Sequence, residues 1–134
     1  MKQGGIVRIL VADDQEAVRK RVIATLVSRR EFEVCAEAAN GREAAERAKQ
    51  LQPDLIVLDI TMPEMNGLDA ARRIRACLPD TPILILSVHK GKQLMEEARK
   101  IGVKGCVTKG EAVQKLVKAV DTILQNEPFF PTDP

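Results

Sequence analysis

The sequence predicts an α/β domain, a five-stranded parallel sheet with helices on both faces, and three observations carry that reading. Apolar runs of β type alternate with amphipathic helical patterns five times along the chain. Two of those runs, Leu55 to Leu58 and Ile83 to Leu86, are apolar at every position, as central strands covered on both faces require. Finally, Asp13, Asp14, Asp59, Ser87 and Lys109 stand where four of the five runs end.

The first strand is Ile6 to Ala12, and residues from Gln15 to about Arg30 then repeat Val18, Val22 and Leu26 as one helical stripe. A second strand covers about Phe32 to Ala38, after which Asn40-Gly41 turns the chain into an alanine-rich helix through Ala44, Ala48 and Leu51 that Pro53 stops. The third strand ends at Asp59. Past the loop from Ile60 to Met65, Asn66 is the N-cap of a helix with Leu68, Ala71, Ile74 and Leu78 inward and Asp69 favourably placed in its first turn. Pro79-Asp80-Thr81-Pro82 closes that helix and leads into the fourth strand, which ends at Ser87. A fourth helix runs from about Lys92 to Ile101 with Leu94, Ala98 and Ile101 spaced for burial and Gly102 as its stop. Its weaker apolar pattern, with Lys90-Gly91-Lys92 before it, suits a mobile element. A short fifth strand, about Gly105 to Thr108, reaches Lys109, and the last helix buries Val113, Leu116, Val117, Val120 and Leu124. Right-handed crossovers place helices on both faces, and ligands bind such sheets at the carboxyl ends of the strands.

Composition narrows the function. With 134 residues, 45% hydrophobic and 30% charged, the chain fits one folded domain rather than a disordered segment. Its apolar runs stop at four residues, far short of a membrane span, and no signal-peptide stretch follows Met1, which places the chain in the cytoplasm. A net charge of +2 gives no long-range attraction for nucleic acid, and the triplet Arg19-Lys20-Arg21 and the run Arg72-Arg73-Ile74-Arg75 read as solvated helix faces. Cys35, Cys77 and Cys106 are odd in number and form no C-x-x-C pair, so neither a disulfide framework nor a zinc site is expected.

An Asp after a strand is commonly a cap or turn residue, so the strand-end acids carry meaning only together. Three carboxylates brought close raise one another's pKa unless a divalent cation neutralises them, and an open oxygen-rich site suits Mg²⁺. A hydroxyl and an ammonium opposite them, Ser87 and Lys109, supply donors for phosphoryl oxygens. No hydrolytic triad can be assembled, since the only histidine, His89, lies two residues past Ser87 and reads as a rim residue. Gly4-Gly5 precedes the first strand, so no glycine-rich phosphate loop exists either.

These residues, Asp13-Asp14, the segment Leu55-Ile56-Val57-Leu58-Asp59-Ile60-Thr61-Met62-Pro63 with Gly67, Ser87 and Lys109, resemble the receiver domain of two-component response regulators, from about Ile6 to Gln125. Ser87-Val88, the stretch Gly105 to Lys109 and the absence of proline after Lys109 are most similar to the NarL-like branch, whose members usually continue into a helix-turn-helix DNA-binding domain. The resemblance implies a flavodoxin-like (βα)5 fold with strand order 2-1-3-4-5. It implies that Asp59 accepts a phosphoryl group from a sensor histidine kinase or phosphotransfer protein. Asp14, Asp59 and the Thr61 carbonyl would ligate Mg²⁺, with Asp13 acting largely through water, while Ser87 and Lys109 would grip the phosphoryl oxygens. Such a chain is a phosphoacceptor signalling domain rather than an enzyme, catalysing only its own phosphorylation and dephosphorylation. The resemblance admits small-molecule phosphodonors and a dimer, and assigns this chain alone neither nucleic acid nor membrane. Residues 1–5 then read as a flexible N-terminus, 6–126 as the receiver domain and 127–134 as a C-terminal tail or the start of a linker.

Two positions depart from the family pattern. Cys106 stands three before Lys109, where an aromatic switch ring is common, and Gly110 replaces the usual proline. A small core thiol at Cys106 implies an output that travels by loop and fourth-helix movement rather than by ring rotation. Alternatives are the receiver part of a longer DNA-binding transcriptional regulator, a phosphate-independent docking domain, which would tend to lose acids and lysine retained here, or a phosphohydrolase of the haloacid dehalogenase type. The last would need a second acid two residues after Asp59, and Thr61 stands there.

Overall fold

The computed structural model describes residues 5–88 and 91–131. Residues 1–4, His89, Lys90 and residues 132–134, on which several expectations fall, lie outside the described residues. In chain order the elements are β1 (Val7–Ala12), α1 (Glu16–Val27), β2 (Phe32–Ala38), α2 (Gly41–Leu51), β3 (Leu55–Asp59), α3 (Gly67–Cys77), β4 (Ile83–Ser87), α4 (Lys92–Ile101), β5 (Gly105–Thr108) and α5 (Ala112–Leu124), with a 3-10 turn, Lys109–Glu111, before the last helix. All strands pair in parallel, as the alternating pattern predicts, in the order β2-β1-β3-β4-β5 that the family resemblance implies. Among the described residues no helix is long and apolar enough to cross a membrane.

Side chains along a strand alternate between faces, so the all-apolar β3 and β4 feed two separate layers. Leu10, Ala12, Ile56, Leu58, Ile83 and Ile85 face α2, α3 and α4, where Ala44, Ala48, Ala70, Ala71 and Ala98 let the helices approach closely. Ile9, Val11, Leu55, Val57, Leu84 and Leu86 pack against Val22 and Leu26 of α1 and Leu116, Ala119, Val120 and Ile123 of α5. Each of the large aliphatics fully buried here contributes about 1.5–3 kcal/mol.

One burial expectation is corrected. Val113 is 59% exposed; Leu116 and Val120 are buried as expected, joined by Ala112, Ala119 and Ile123, while Val117 and Leu124 pack at the margin. Leu51, at the last turn of α2, lies on the surface. Helix α4 buries Met95 and Ala98, with Leu94 and Ile101 packed at the margin.

The segment after α5 does not run off into solvent. Phe129 bridges Gly105 in parallel on the outer edge of β5.

Candidate functional site

Because every strand is parallel, all carboxyl ends open at the same end of the sheet, and the residues that follow them meet there. Asp13 leaves β1 with its N–H donating to the Ala38 carbonyl oxygen at 3.0 Å, and it is fully buried. Asp59 is the last residue of β3 and is 2% exposed. Ser87 closes β4, also buried, and pairs in register with Thr108, the residue before Lys109. The Lys109 ammonium lies 3.1 Å from Asp13 Oδ2 and 3.1 Å from Asp59 Oδ1. Asp14 is exposed, and one carboxylate oxygen each from Asp13, Asp14 and Asp59 can be chosen so that all lie within 4.8 Å of one another. Thr61 is exposed, and its N–H makes a long 3.4 Å contact to Asp59 Oδ1. The structure therefore brings the three acids and Lys109 together, with Ser87 and Thr61 at the same end of the sheet.

Charge is held here against burial. Burial, and then the Asp13 carboxylate, push the Asp59 carboxyl above its usual range, and Lys109 offsets only part of that. Burial also works against the Lys109 ammonium, but hydrogen bonds and charge from Asp59 and Asp13 outweigh it and raise its pKa. Asp13 Oδ1 accepts from the Gln15 N–H at 2.9 Å, while Asp13 Oδ2, apart from its ion pair with Lys109, and Asp59 Oδ2 are both buried with no hydrogen-bond partner among the described residues. Buried carboxylate oxygens left without hydrogen bonds within an all-oxygen acidic group fit a hard divalent cation such as Mg²⁺, which takes one or two carboxylates and keeps waters.

The loop beyond Asp59 is clamped at both ends. Gly67 N–H donates to the Ile60 carbonyl oxygen at 2.8 Å, an approach so close that a Cβ on Gly67 would fall on the Asp59 carbonyl oxygen. A Cβ on Gly41 would likewise fall on the Met65 carbonyl oxygen. The expected cap is in place, with Asn66 Oδ1 accepting from the Asp69 N–H at 2.9 Å. Asn40, read as a turn residue, caps α2 by accepting from the Glu43 N–H at 2.8 Å. Glu64, in the left-handed region at φ 65°, accepts from Asn40 Nδ2 at 3.3 Å and Arg42 Nε at 3.1 Å.

Sequence reasoning missed Arg19. Grouped with a solvated basic face, its side chain is only 15% exposed; Nη1 donates to the Asp13 carbonyl oxygen at 2.8 Å and Nε to Glu37 Oε1 at 2.7 Å. The only signal was its place on the first turn after the acidic pair. Cys106, by contrast, is a small core thiol as expected, fully buried with its pKa pushed up to about 12 by that burial.

The family model for the response regulator receiver domain matches residues 9–121. The chain is 38% identical over 118 residues to the transcriptional regulatory protein LnrK of Bacillus subtilis, covering 88% of this chain and 54% of that protein. It is 36% identical over 116 residues to the chemotaxis protein CheY of Thermotoga maritima, covering 87% of this chain and 96% of that one. The receiver domain of the putative response regulator NarL from Mycobacterium tuberculosis superposes with a TM-score of 0.86 at 30% identity, covering 92% of this chain and 99% of that one. A LuxR-family two-component response regulator from Aurantimonas does so with a TM-score of 0.89 at 33% identity, covering 93% and 89%. The chain belongs to the response regulator receiver family, with NarL- and LuxR-type regulators among its relatives. It is thus a signalling domain and not a member of a catalytic family. It spans about half the length of several of these curated relatives, 54% of LnrK and 52% of DegU from Brevibacillus brevis.

Proposed function

We propose that this receiver domain accepts a phosphoryl group on Asp59 from the phosphohistidine of a sensor histidine kinase or phosphotransfer protein, with Mg²⁺, and relays the event as a conformational change. The observation that carries this reading is Lys109, whose ammonium holds Asp59 Oδ1 and Asp13 Oδ2 at 3.1 Å each while Asp59 Oδ2 has no hydrogen-bond partner among the described residues. Of the two Asp59 carboxylate oxygens, the one not engaged by the metal attacks phosphorus. Its bond to phosphorus forms as the bond from phosphorus to the donor imidazole breaks, and the imidazole leaves with the bonding pair. Lys109 moves from the carboxylates onto the phosphoryl oxygens, and the Ser87 hydroxyl donates to another. Asp13, Asp14 and Asp59, with the Thr61 carbonyl, would hold Mg²⁺, which when bound supplies charge neutralisation at the phosphoryl oxygens. Small phosphodonors such as acetyl phosphate serve the same attack, with acetate leaving. Incubation with acetyl phosphate and Mg²⁺ should add one phosphoryl group by intact mass, and Asp59→Asn should abolish the addition; an unmodified parent chain would refute the reading.

LnrK and DegU, each described as a transcriptional regulatory protein and each about twice as long as the matched region, favour a second reading in which this domain is the receiver part of a DNA-binding regulator. A reading frame continuing past Pro134 into a helix-turn-helix would support it, and a stop codon there would refute it.

A further inference from the structure

After α5 the chain turns through Asn126, in the left-handed region at φ 68°, and comes back along the sheet. Phe129 N–H donates to the Lys104 carbonyl oxygen at 3.0 Å, and Cys106 N–H donates to the Phe129 carbonyl oxygen at 2.8 Å, which is one step of a parallel ladder on the outer edge of β5. Gly105 makes room for it: a Cβ there would lie 2.6 Å from the Phe129 carbonyl oxygen and 2.8 Å from Ile123 Cδ1. The two rings go to opposite layers. Phe129 packs with the layer of α1 and α5, while Phe130 packs with the layer of α4 and lies under the Arg99 guanidinium, 4.2 Å from the ring centroid. The attachment is also limited in extent. The next residue in register is Pro131, which has no N–H for the Cys106 carbonyl, and Pro128 removes a donor from the strand's outward side.

The strand that holds this segment leads directly into Lys109, the phosphoryl ligand of the proposed function. Cys106 stands three residues before Lys109, and Thr108 between them pairs with Ser87. If re-pairing of Lys109 and the Ser87 hydroxyl with a phosphoryl group shifts the paired ends of β4 and β5, the shift reaches the Gly105–Cys106 edge that holds Phe129, while Phe130 packs on the layer of α4. We infer that residues 128–131 are a detachable output strap, a short sixth strand on β5 whose docking is loosened when Asp59 carries a phosphoryl group. The inference rests on the functional reading above and adds its readout.

Amide exchange by NMR on the full chain tests it, with beryllofluoride and Mg²⁺ as the phosphoryl probe. The strap predicts that the Cys106 and Phe129 amides exchange several-fold faster with beryllofluoride bound, while Ile9 and Leu10 in β1 keep their protection. Phe130→Ala should speed the same two amides without the probe and tighten beryllofluoride binding, because coupling between two sites is reciprocal. Phe130→Leu, which keeps the apolar volume and loses the ring under Arg99, should act in the same direction more weakly. Shifts of the Thr61 and Lys109 amides report binding separately. If those are silent, the functional reading fails and the coupling with it. If they respond while the Cys106 and Phe129 amides exchange no faster, or the Phe130 variants bind beryllofluoride as the parent does, the functional reading stands and the strap is refuted.

Discussion

Gly67 sits so close to Asp59 that no other residue fits between the start of α3 and the end of β3: its N–H bonds the Ile60 carbonyl oxygen at 2.8 Å, and a Cβ would land on the Asp59 carbonyl oxygen. The obstacle is backbone on both sides, so it cannot rotate away. Gly67→Ala should therefore cost about 1–3 kcal/mol in denaturant unfolding and slow acetyl phosphate labelling by displacing Asp59. Unchanged stability and labelling would show that the loop yields at no cost.

The raised pKa of Asp59 fixes the sign of a stability effect. Burial and Asp13 place its folded pKa above the ordinary 3.8, so folding favours the protonated form and the charge costs stability at pH 7. The stabilising protonated form is fully present below the unfolded pKa and is lost as pH rises through the folded one. Asp59→Asn removes that cost, and Lys109 keeps Asp13 at 3.1 Å. Melting in a chelator should show Tm higher by roughly 2–5 °C at pH 7, with the gain vanishing as the pH falls below the ordinary value of 3.8. A gain that grows toward acid pH contradicts the assignment.

Arg19 is a positioning residue with two partners, Glu37 and the Asp13 carbonyl oxygen. Arg19→Ala should cost about 1.5–3 kcal/mol of stability, the range for hydrogen bonds to charged groups, and weaken Mg²⁺ binding seen by calorimetry. Arg19→Lys should rescue little, since one ammonium cannot replace a planar fork serving two acceptors. Full rescue by lysine would reduce Arg19 to a generic surface charge.

Much of this was legible in the sequence because the signals were periodic or terminal. The two apolar tetrads of β3 and β4 announce a sheet covered on both faces, and the residues that end the strands are the residues that meet. What escaped depended on partners distant in sequence. Arg19 reads like its neighbours Lys20 and Arg21 until Glu37 arrives from β2. Val113 belongs to the aliphatic run of α5, yet it faces solvent, because Ala112, Leu116, Ala119, Val120 and Ile123 form the face laid against the sheet. Pro128 to Pro131 looks like a linker by composition, and only the open edge of β5 gives Phe129 a ladder to join.

Asp14 is the exposed member of the acidic group, and oxygen ligands of Mg²⁺ need access to water. Asp14→Asn should weaken Mg²⁺ by roughly tenfold in a calorimetric titration and reduce the Tm gain that saturating Mg²⁺ gives the parent. Equal affinity in the variant would move the metal elsewhere.

The central claim is that Asp59, not another acid in the cluster, takes the phosphoryl group. Borohydride reduction of the acetyl phosphate-treated chain converts a phosphorylated aspartate to homoserine, and peptide sequencing by tandem mass spectrometry locates it. The account predicts homoserine at position 59 alone, dependent on Mg²⁺; homoserine at Asp13 or Asp14 with position 59 unmodified would contradict it.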